Sequence, residues 1–357
     1  MVLMSPSNGT EKACAHYVLQ DISHGYFPAN FYGFLITGAV FDFVVCPSNI
    51  LLNTLVIAAL KTKRRLQTHA NILLGCLALT DLMVGLFVLP VHTTMTIFLL
   101  QGKDYGDFCV LNRVLIISLT ICSVSSLYQL TLVSAERYLA IKHTFTHSTV
   151  LTKTRLLVFS ALAWIAAVLP LSFQGLSPMI ITLIYVLVVT SISLICWFQV
   201  VVYVEARRHE KAILSQQVSN EAKQKFLKDK KALKLTTTIL VALVLSYCPS
   251  FISRVVVQVF ATEETSTDSR SLTRFLIVLP VIFNSVLNPV IYAVRKRQFR
   301  VAFVELLLRK SYEEAKDVEK RLFGKSNNTT TRSRENAVER IEDGVQGEDK
   351  QAENPNT

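Results

Sequence analysis

The sequence predicts an all-α membrane protein, built as a bundle of seven transmembrane helices. Three observations support this fold class. Of the 357 residues, 51% are hydrophobic and only 18% are charged, which leaves too little polar surface for a soluble domain of this length. The mean hydropathy is +0.40. Seven apolar segments are long enough to cross a bilayer as helices: 34–60, 72–98, 114–139, 156–173, 179–204, 235–259 and 275–294.

The fourth and fifth segments are the clearest part of this pattern. Residues 156–204 contain no charged residue and are interrupted only at 174–178, which includes Gly175 and Pro178. A single long buried helix would be broken by this glycine and proline. We therefore predict two antiparallel helices joined by a tight turn.

The basic residues predict how the chain is oriented in the membrane. Lysine and arginine are concentrated after the first segment, between the third and fourth, before the sixth and after the seventh. By the positive-inside rule these alternate connections are cytoplasmic, so the N-terminus is predicted outside and the C-terminus inside. Membrane topology thus explains the net charge of +11, which does not indicate nucleic-acid binding. No basic region followed by an apolar one begins the chain, so we expect no cleavable signal peptide.

These patterns divide the chain into four parts. Residues 1–33 form an extracellular N-terminus with a glycosylation sequon at Asn8, and residues 34–294 form the transmembrane domain. Residues 295–310 are predicted to be an amphipathic eighth helix on the inner leaflet, because apolar side chains recur there at helical spacing opposite basic ones. The apolar positions are Phe299, Ala302, Phe303 and Leu306. Residues 311–357 are polar and charged, and we expect a disordered cytoplasmic tail.

An acidic residue and an arginine stand side by side at the end of the third segment. No charge occurs from 114 to 135, and Glu136, Arg137 and Tyr138 follow directly. Where hydrocarbon gives way to water each charge can be solvated or paired, and neither is cheap to bury alone. On these residues alone, two snorkelling side chains at a helix end are the simpler explanation. An Asn-Pro-x-x-Tyr motif ending at Tyr292 favours the other explanation, a charge pair that works as a switch.

Asp81 lies in the second segment, inside the membrane. A carboxylate there costs several kcal/mol unless it faces the bundle interior and finds partners. Amides and hydroxyls of other segments are candidate partners: Asn53, Ser126, Asn284, Ser285 and Asn288. Such a set could bind a small cation or water, and we predict a hydrated cation site. The alternative is a protonated Asp81 in a structural hydrogen-bond network.

Several of these residues stand in the order and spacing of a known family. They are Asn53, Leu77, Ala78, Asp81, Glu136, Arg137, Tyr138, Trp164, Pro249 and the run Asn288, Pro289, Val290, Ile291 and Tyr292. Over roughly residues 34–305 the chain resembles a rhodopsin-like (class A) G-protein-coupled receptor. The resemblance implies a seven-helix receptor of the plasma membrane, not an enzyme. An extracellular ligand would rearrange its helices and open a cytoplasmic cleft for a heterotrimeric G protein.

The resemblance also implies roles for residues on the cytoplasmic side. Arg137 would be held in the resting state by Glu136 and Asp229, and its release would let it contact the G protein. Tyr292 would swing inward. Phe145 would dock on the G protein, and packing of this side chain against its own loop is the alternative. The predicted switch residues are Glu136, Arg137, Tyr138, Phe145, Asp229, Asn288, Pro289 and Tyr292.

The polar residues around Asp81 resemble the sodium pocket of the family. The implied ligands of an allosteric sodium ion are Asp81, Ser126, Asn284, Ser285 and Asn288, and no other cofactor is expected. Hydroxyls at 326–333 would serve a receptor kinase and arrestin. The expected partners are therefore a G protein, an extracellular ligand, the bilayer, arrestin and a receptor kinase, with no nucleic acid.

The chain also departs from the family's pattern. The cysteine expected near the top of the third helix is Asn112, and the connection at 174–178 has no cysteine, so the usual disulfide cannot form. Ser191 replaces the proline of the fifth helix, and Tyr247 replaces the tryptophan of the sixth. A short, cysteine-free outer loop and a missing fifth-helix proline are similar to the melanocortin, cannabinoid and lysolipid receptor group.

The sequence excludes two known modes of ligand binding. The outer half of the third segment has no Asp, so the amine anchor of biogenic-amine receptors is missing, and the seventh has no Lys to hold retinal. His92, Arg113 and Arg254 lie near outer ends and could bind a carboxylate or phosphate if they face inward. The alternative is snorkelling to headgroups, which we favour for Arg113. With Tyr247 these residues are the predicted ligand contacts, for an acidic lipid, a peptide or a small anion.

The main alternative function is a secondary transporter or channel with a polar site at the midplane. Such a protein would have inverted repeats and charge-lined helices, and the sequence shows neither. A membrane enzyme would cluster His, Cys or acidic residues at one depth, whereas the seven histidines here are scattered.

Overall fold

A computed structural model describes residues 29–103, 109–143, 147, 149, 151–169, 178–215 and 267–323. These residues are almost entirely helical and contain no β-strand, which confirms the predicted all-α class. The helices are α1 (Ala29–Thr62), α2 (His69–Leu100), α3 (Cys109–Lys142), α4 (Lys153–Val168), α5 (Pro178–Ser215), α6 (Thr267–Arg295), α7 (Arg297–Leu307) and α8 (Tyr312–Phe323).

Helices α1 to α6 lie at six of the seven predicted spans. The sixth predicted span, 235–259, lies outside the described residues, so α6 is the seventh span. Four stretches of the described chain are long and apolar enough to cross a membrane: Leu35–Thr62, His69–Leu100, Val110–Lys142 and Val186–Arg208. A shorter apolar stretch covers Val281–Arg295 of α6.

Helix α2 changes its winding in the middle. An α-helical part, His69–Met83, passes into a π-helical turn at Val84–Val88 before α-helix resumes at Leu89. Within this turn the Leu89 N–H donates to the carbonyl of Val84, five residues back. Pro90 follows immediately; it has no N–H to donate and its ring would clash with the carbonyl four residues earlier, so the wider turn relieves both problems.

Helix α3 lies at the centre of the bundle and packs against α2, α4 and α5, while α1 packs against α2 and α6. Leucines and other large apolar side chains fill the interior, including Leu73, Leu77, Ile195 and Ile282. The opposite faces expose apolar side chains; Phe43 of α1, for example, is 79% exposed. Such a surface suits contact with lipid chains rather than with water.

Two helix starts on the side predicted to be cytoplasmic are explained by threonine caps. Thr68 Oγ1 accepts the N–H of Asn71 at the start of α2, and Thr152 Oγ1 accepts the N–H of Arg155 at the start of α4. Each threonine satisfies one of the N–H groups that a first helical turn leaves without a partner. The caps fix where α2 and α4 begin after the basic connections.

Helices α7 and α8 form a second compact unit, which begins at Arg297. Helix α7 lies where the amphipathic helix was predicted, but Phe299, Ala302 and Phe303 are buried in the protein. This face is therefore not available to insert into the inner leaflet as expected. Burial against protein competes with burial in lipid, and the sequence pattern is the same for both.

The prediction of a disordered tail from residue 311 is wrong for α8. Ser311 and Glu314 form a capping box: the Glu314 N–H donates to Ser311 Oγ at 3.5 Å, and the Ser311 N–H donates to Glu314 Oε2 at 3.1 Å. Glu319 is buried and pairs with Arg297 and Arg300 of α7. A cap and a buried ion pair thus stabilise a helix in a segment whose composition alone favours disorder.

Candidate functional site

Buried amides and a carboxylate meet in the middle of α1, α2 and α6. The Asn288 side-chain amide donates to Asp81 Oδ2 at 2.8 Å, which joins α6 to α2. Asn49 donates to the backbone carbonyl of Asp81 at 2.9 Å, and Asn53 donates to that of Ser285 at 3.2 Å. All of these side chains are at most 1% exposed. A polar group buried this deeply needs such partners, because none comes from lipid.

Helix α3 closes this group of residues from the other side. Asn284 Nδ2 lies 3.4 Å from Ser126 Oγ, and Ser285 Oγ donates to the backbone carbonyl of Val281 at 2.9 Å. The structure thus brings together every residue of the predicted cation site. We call the set the polar core: Asn49, Asn53, Asp81, Ser126, Asn284, Ser285 and Asn288.

Oxygen atoms outnumber donors in this region. Asp81 Oδ1, Asn53 Oδ1 and Asn284 Oδ1 are buried and have no hydrogen-bond partner among the described residues. Unsatisfied buried acceptors are unfavourable unless a cation or water meets them. Carboxylate, amide and hydroxyl oxygens are the ligands that hard cations prefer. The residues present therefore fit a small hydrated cation such as sodium.

A second group of charged residues lies at the ends of α2, α3 and α6 that the sequence predicts to be cytoplasmic. Glu136 is buried, and its two carboxylate oxygens face different partners: Oε2 lies 3.2 Å from Arg137 Nε, and Oε1 lies 3.2 Å from His147 Nε2. Arg137 was expected beside Glu136, whereas His147 was not expected. Asp229, the other predicted partner of Arg137, lies outside the described residues.

Lys296 follows the last residue of α6 and belongs to the same group. Its Nζ donates to Asn71 Oδ1 at 2.6 Å. Asn71 is oriented for this contact, because its own amide donates to the carbonyl of Leu66 at 2.8 Å. Burial and, to a smaller extent, the charge of Arg137 lower the pKa of Lys296, while Glu136 raises it, and the net result is a pKa of about 7. We call Asn71, Glu136, Arg137, His147 and Lys296 the cytoplasmic cluster.

The remaining predicted switch residues take different positions. Tyr292 and Pro289 are buried in α6. Tyr138 packs on α5, with ring centroids 5.6 Å from Trp197 and 5.4 Å from Phe198. Tyr138 therefore connects α3 to α5 instead of entering the cytoplasmic cluster. Phe145 lies outside the part of the chain that the structure describes.

The predicted ligand contacts are only partly supported by the geometry. His92 Nδ1 lies 2.6 Å from Asp42 Oδ2, and Thr93 Oγ1 donates to the same oxygen at 3.4 Å. Both members of the pair are buried, at 1% for Asp42 and 8% for His92. The Asp42 carboxylate occupies Nδ1 of His92, so only Nε2 of this ring is left for the predicted contact with an acidic ligand, which stays a prediction. Arg113 is exposed at the outer end of α3.

The other two predicted ligand contacts, Tyr247 and Arg254, lie outside the described residues. Sequence reasoning also missed several residues that the structure places in the two groups: Asn49, Asn71, His147 and Lys296. Asn49 had a detectable signal, because it precedes Asn53 by four residues and so lies on the same helix face. The other three had none, since their contacts depend on how distant segments pack.

Comparison with known proteins adds independent information. The model of the family "7 transmembrane receptor (rhodopsin family)" matches residues 52–176 and 170–292. A QRFP-like peptide receptor from Branchiostoma floridae is 33% identical over 129 residues, which are 36% of this chain and 33% of that protein. The 5-hydroxytryptamine receptor 1D of Oryctolagus cuniculus is 29% identical over 167 residues, 45% of this chain and 43% of that protein.

The human 5-hydroxytryptamine receptor 1B is 32% identical over 120 residues, 33% of this chain and 29% of that protein. The chain thus spans less than half of the length of each of these three curated relatives. One of these relatives is named a peptide receptor and the other two are named 5-hydroxytryptamine receptors, so the matches do not agree on one ligand.

Proposed function

Because the chain belongs to the rhodopsin family of seven-transmembrane receptors, we propose that it is a G-protein-coupled receptor. It binds an extracellular ligand and activates a heterotrimeric G protein on the cytoplasmic side. Membership of this family indicates a receptor rather than an enzyme. The similarity to the family gives the transporter or channel alternative no support.

The observation that carries this proposal is the ion pair of Glu136 with Arg137 at the cytoplasmic end of α3. Separating a buried carboxylate from its cationic partner is strongly unfavourable, because the negative charge would stay buried with no positive charge beside it. The pair therefore defines a resting arrangement, and another arrangement becomes populated only when a partner supplies new contacts for Arg137. A G protein that contacts Arg137 selects that second state.

Helix α6 links the two groups of polar residues. Asn288 joins it to Asp81 of α2 in the polar core, and Lys296 joins its end to Asn71 of α2. Tyr292 lies between these two contacts. A movement of α6 relative to α2 must therefore change both contacts, which couples the middle of the bundle to its cytoplasmic end.

A sodium ion in the polar core stabilises the resting state. The support comes from buried oxygens of Asp81, Asn53 and Asn284, which have no hydrogen-bond donor among the described residues and which a cation could bind. An ion held between α2, α3 and α6 opposes the relative movement of these helices. The ion acts as an allosteric ligand only if the resting and active states of the receptor bind it with different affinities.

The ligand is not an amine held in the way of biogenic-amine receptors, although two of the similar proteins are 5-hydroxytryptamine receptors. The outer half of α3 contains neither Asp nor Glu to bind a cationic nitrogen. We infer an acidic lipid, peptide or small anion recognised by Arg254 and Tyr247. The protein lies in the plasma membrane with its N-terminus outside, and arrestin and a receptor kinase act on its cytoplasmic side.

Substitution of Arg137 tests this function. Arg137→Ala removes the group that contacts the G protein, so nucleotide exchange on G proteins in cell membranes should fall to the level of membranes without the receptor. Arg155→Ala, which alters an exposed arginine at the start of α4, serves as the control and should retain exchange. Full exchange by Arg137→Ala at equal surface expression would rule out the proposed mechanism.

A further inference from the structure

Aromatic side chains gather where α3 packs on α5, one helical turn before α3 ends. The ring of Tyr138 lies 5.6 Å from that of Trp197 and 5.4 Å from that of Phe198, measured between centroids. The rings of Trp197 and Phe198 are 5.1 Å apart. Trp197 is 51% exposed although it takes part in these contacts. A flat apolar surface is therefore open to the bilayer at this place.

Lys142 adds a charge at one end of this surface. It is the last residue of α3 and is exposed, and its Nζ lies 5.4 Å from the centroid of the Tyr138 ring. Because it follows Tyr138 by four residues, it stands on the same side of the helix, one turn nearer to the end predicted to be cytoplasmic. An ammonium group at this level can donate to an oxygen of a lipid whose apolar part lies on the rings.

Small side chains continue the surface toward the middle of the membrane. Ala135 and Thr131 precede Tyr138 by three and seven residues, so they lie on the same side of α3, and both are half-buried. The hydroxyl of Thr131 donates to the carbonyl four residues earlier at 2.9 Å, which leaves its methyl group for contact. On α5, Leu194 precedes Trp197 by three residues and is exposed. The apolar surface thus extends about 10 Å along α3 from the rings.

We propose that this surface binds a membrane sterol. The rigid ring system of the sterol lies on Trp197 and along the small side chains of α3, and its hydroxyl accepts a hydrogen bond from Lys142. A sterol has one small polar group at the end of a flat apolar body, and the surface has one cation at the end of a flat apolar strip. A phospholipid fits less well, because its two flexible chains lose more conformational freedom on such a surface.

The sequence agrees with this geometry. Leu132, Tyr138 and Lys142 match a short pattern proposed for sterol contact, in which a leucine or valine, a tyrosine and a basic residue follow one another at short intervals. The pattern occurs in many chains, so the contacts of Tyr138 with Trp197 and Lys142 carry the argument. Sterol binding is a further property of the chain and does not depend on the proposed G-protein site.

The test uses the two tryptophans of the chain, Trp164 and Trp197. The full-length protein is placed in phosphatidylcholine liposomes that contain increasing amounts of a brominated sterol, which quenches tryptophan fluorescence at short range. Trp164→Phe leaves Trp197 as the only emitter, and its quenching should saturate and be reversed by cholesterol. Trp197→Phe leaves Trp164 of α4, whose quenching should grow only in proportion to the sterol content.

Two further variants in the Trp164→Phe background test the contacts. Lys142→Gln removes the donor, so the sterol content that gives half of the quenching should rise about 5-fold. Ala135→Leu places a branched side chain on the strip and should raise this content about 10-fold. Lys61→Gln, which alters an exposed lysine at the end of α1, is the matched control and should change nothing.

The sterol itself supplies a test that needs no change at the strip. The epimer of cholesterol with an inverted hydroxyl should compete about 5-fold less well than cholesterol, and Lys142→Gln should abolish this difference. Equal competition by the two epimers in the protein with Lys142 would overturn the proposal. Quenching of Trp197 without saturation would overturn it as well, because the surface would then contact only bulk lipid. Reversal by phosphatidylserine as effective as reversal by cholesterol would assign the strip to a phospholipid instead.

Discussion

The polar core and the cytoplasmic cluster lie along the same helices but differ in how their buried oxygens are paired. In the polar core, the oxygens of Asp81, Asn53 and Asn284 lack donors among the described residues. In the cytoplasmic cluster, the oxygens of the Glu136 carboxylate lie 3.2 Å from Arg137 Nε and 3.2 Å from His147 Nε2. The first arrangement fits a cation, whereas the second already places basic groups beside its carboxylate.

This contrast suggests how one movement can respond to two ligands. The contacts of Asp81 with Asn288 and of Asn71 with Lys296 both join α2 to α6. In the function proposed above, a cation stabilises the first contact, whereas the G protein selects an arrangement of α6 in which the second contact changes. The two ligands therefore favour different arrangements of α6, which is what opposing allosteric effects require.

Asp42 and His92 provide a third region, in which a carboxylate and a ring nitrogen match one to one. The largest expected effect on stability is therefore found there. Asp42→Ala leaves His92 buried without its partner, and it should lower the free energy of unfolding by about 3 kcal/mol, as measured by thermal unfolding in detergent.

A double-mutant cycle with His92→Ala isolates the contact. The two residues touch directly at 2.6 Å, so the double variant should be less destabilised than the sum of the single variants. Additive losses would show that Asp42 and His92 contribute through separate contacts. The one-to-one match that distinguishes this pair from the polar core and the cytoplasmic cluster would then be refuted.

Gly85 allows α1 to approach the polar core, and a methyl group there should have the next largest effect. A Cβ on Gly85 would lie 2.9 Å from Ile50 Cγ1 and 3.0 Å from Asn49 Nδ2, the group that donates to the Asp81 carbonyl. Gly85→Ala should therefore destabilise the protein by about 2 kcal/mol in thermal unfolding.

Gly33→Ala is the matched control for this glycine. Nothing lies within 4 Å of a Cβ at Gly33 in α1, so this variant should be neutral or slightly stabilised by better helix propensity. Equal unfolding midpoints for the two variants would mean that Asn49 can move away from Gly85 without loss, and that the polar core is less tightly packed than its hydrogen bonds suggest.

Sodium should stabilise the resting protein through the polar core. At a concentration ten times its dissociation constant, the ion should add about 1.4 kcal/mol to the free energy of unfolding, and an equal concentration of choline should not. Asp81→Asn removes the charge and should abolish the difference between the two salts. A sodium effect that survives this substitution would assign it to general screening or to another site.

The sequence predicted the membrane spans and the polar core better than the charged clusters. Apolar length identifies a span, and Asp81 and Asn288 stand out because polar side chains are rare in such a segment. Lys296 and Asn71 are 225 residues apart, so no local pattern connects them. Lysine is also common after a last span, where the positive-inside rule explains it without any further role.

The two errors concern burial and capping. Phe299 and Phe303 form an apolar face whose spacing is the same whether lipid or protein covers it, so the sequence could not distinguish these cases. The helix α8 did have a signal, since Ser311 and Glu314 match a capping box. The overall polarity of the segment favoured disorder and outweighed that signal. The ion pairs that stabilise α8 could not be found within the segment, because the two arginines that pair with Glu319 belong to a different helix.

The smallest expected effect concerns Glu319, where carboxylate and cations match again. Arg297 Nε and an Arg300 guanidinium nitrogen both lie 2.7 Å from its oxygens. Glu319→Gln should weaken the contact of α8 with α7 by about 1 kcal/mol or less. Hydrogen exchange of the α8 amides in the full-length receptor should rise about 5-fold or less. Glu313→Gln, which removes an exposed pair with Lys316, should leave exchange unchanged.

The pH dependence gives a second measure of the same contact. Burial raises the pKa of Glu319, but the hydrogen bonds and charges of Arg297 and Arg300 outweigh it, so the pKa lies below the ordinary value of 4.5. A lowered carboxylate pKa contributes stability that is complete above 4.5 and is lost as the pH falls through the folded value. Protection of α8 should therefore decrease in acid in the wild type and stay level in Glu319→Gln. The same decrease in both proteins would show that other carboxylates, such as the Glu314 cap, hold α8 in place.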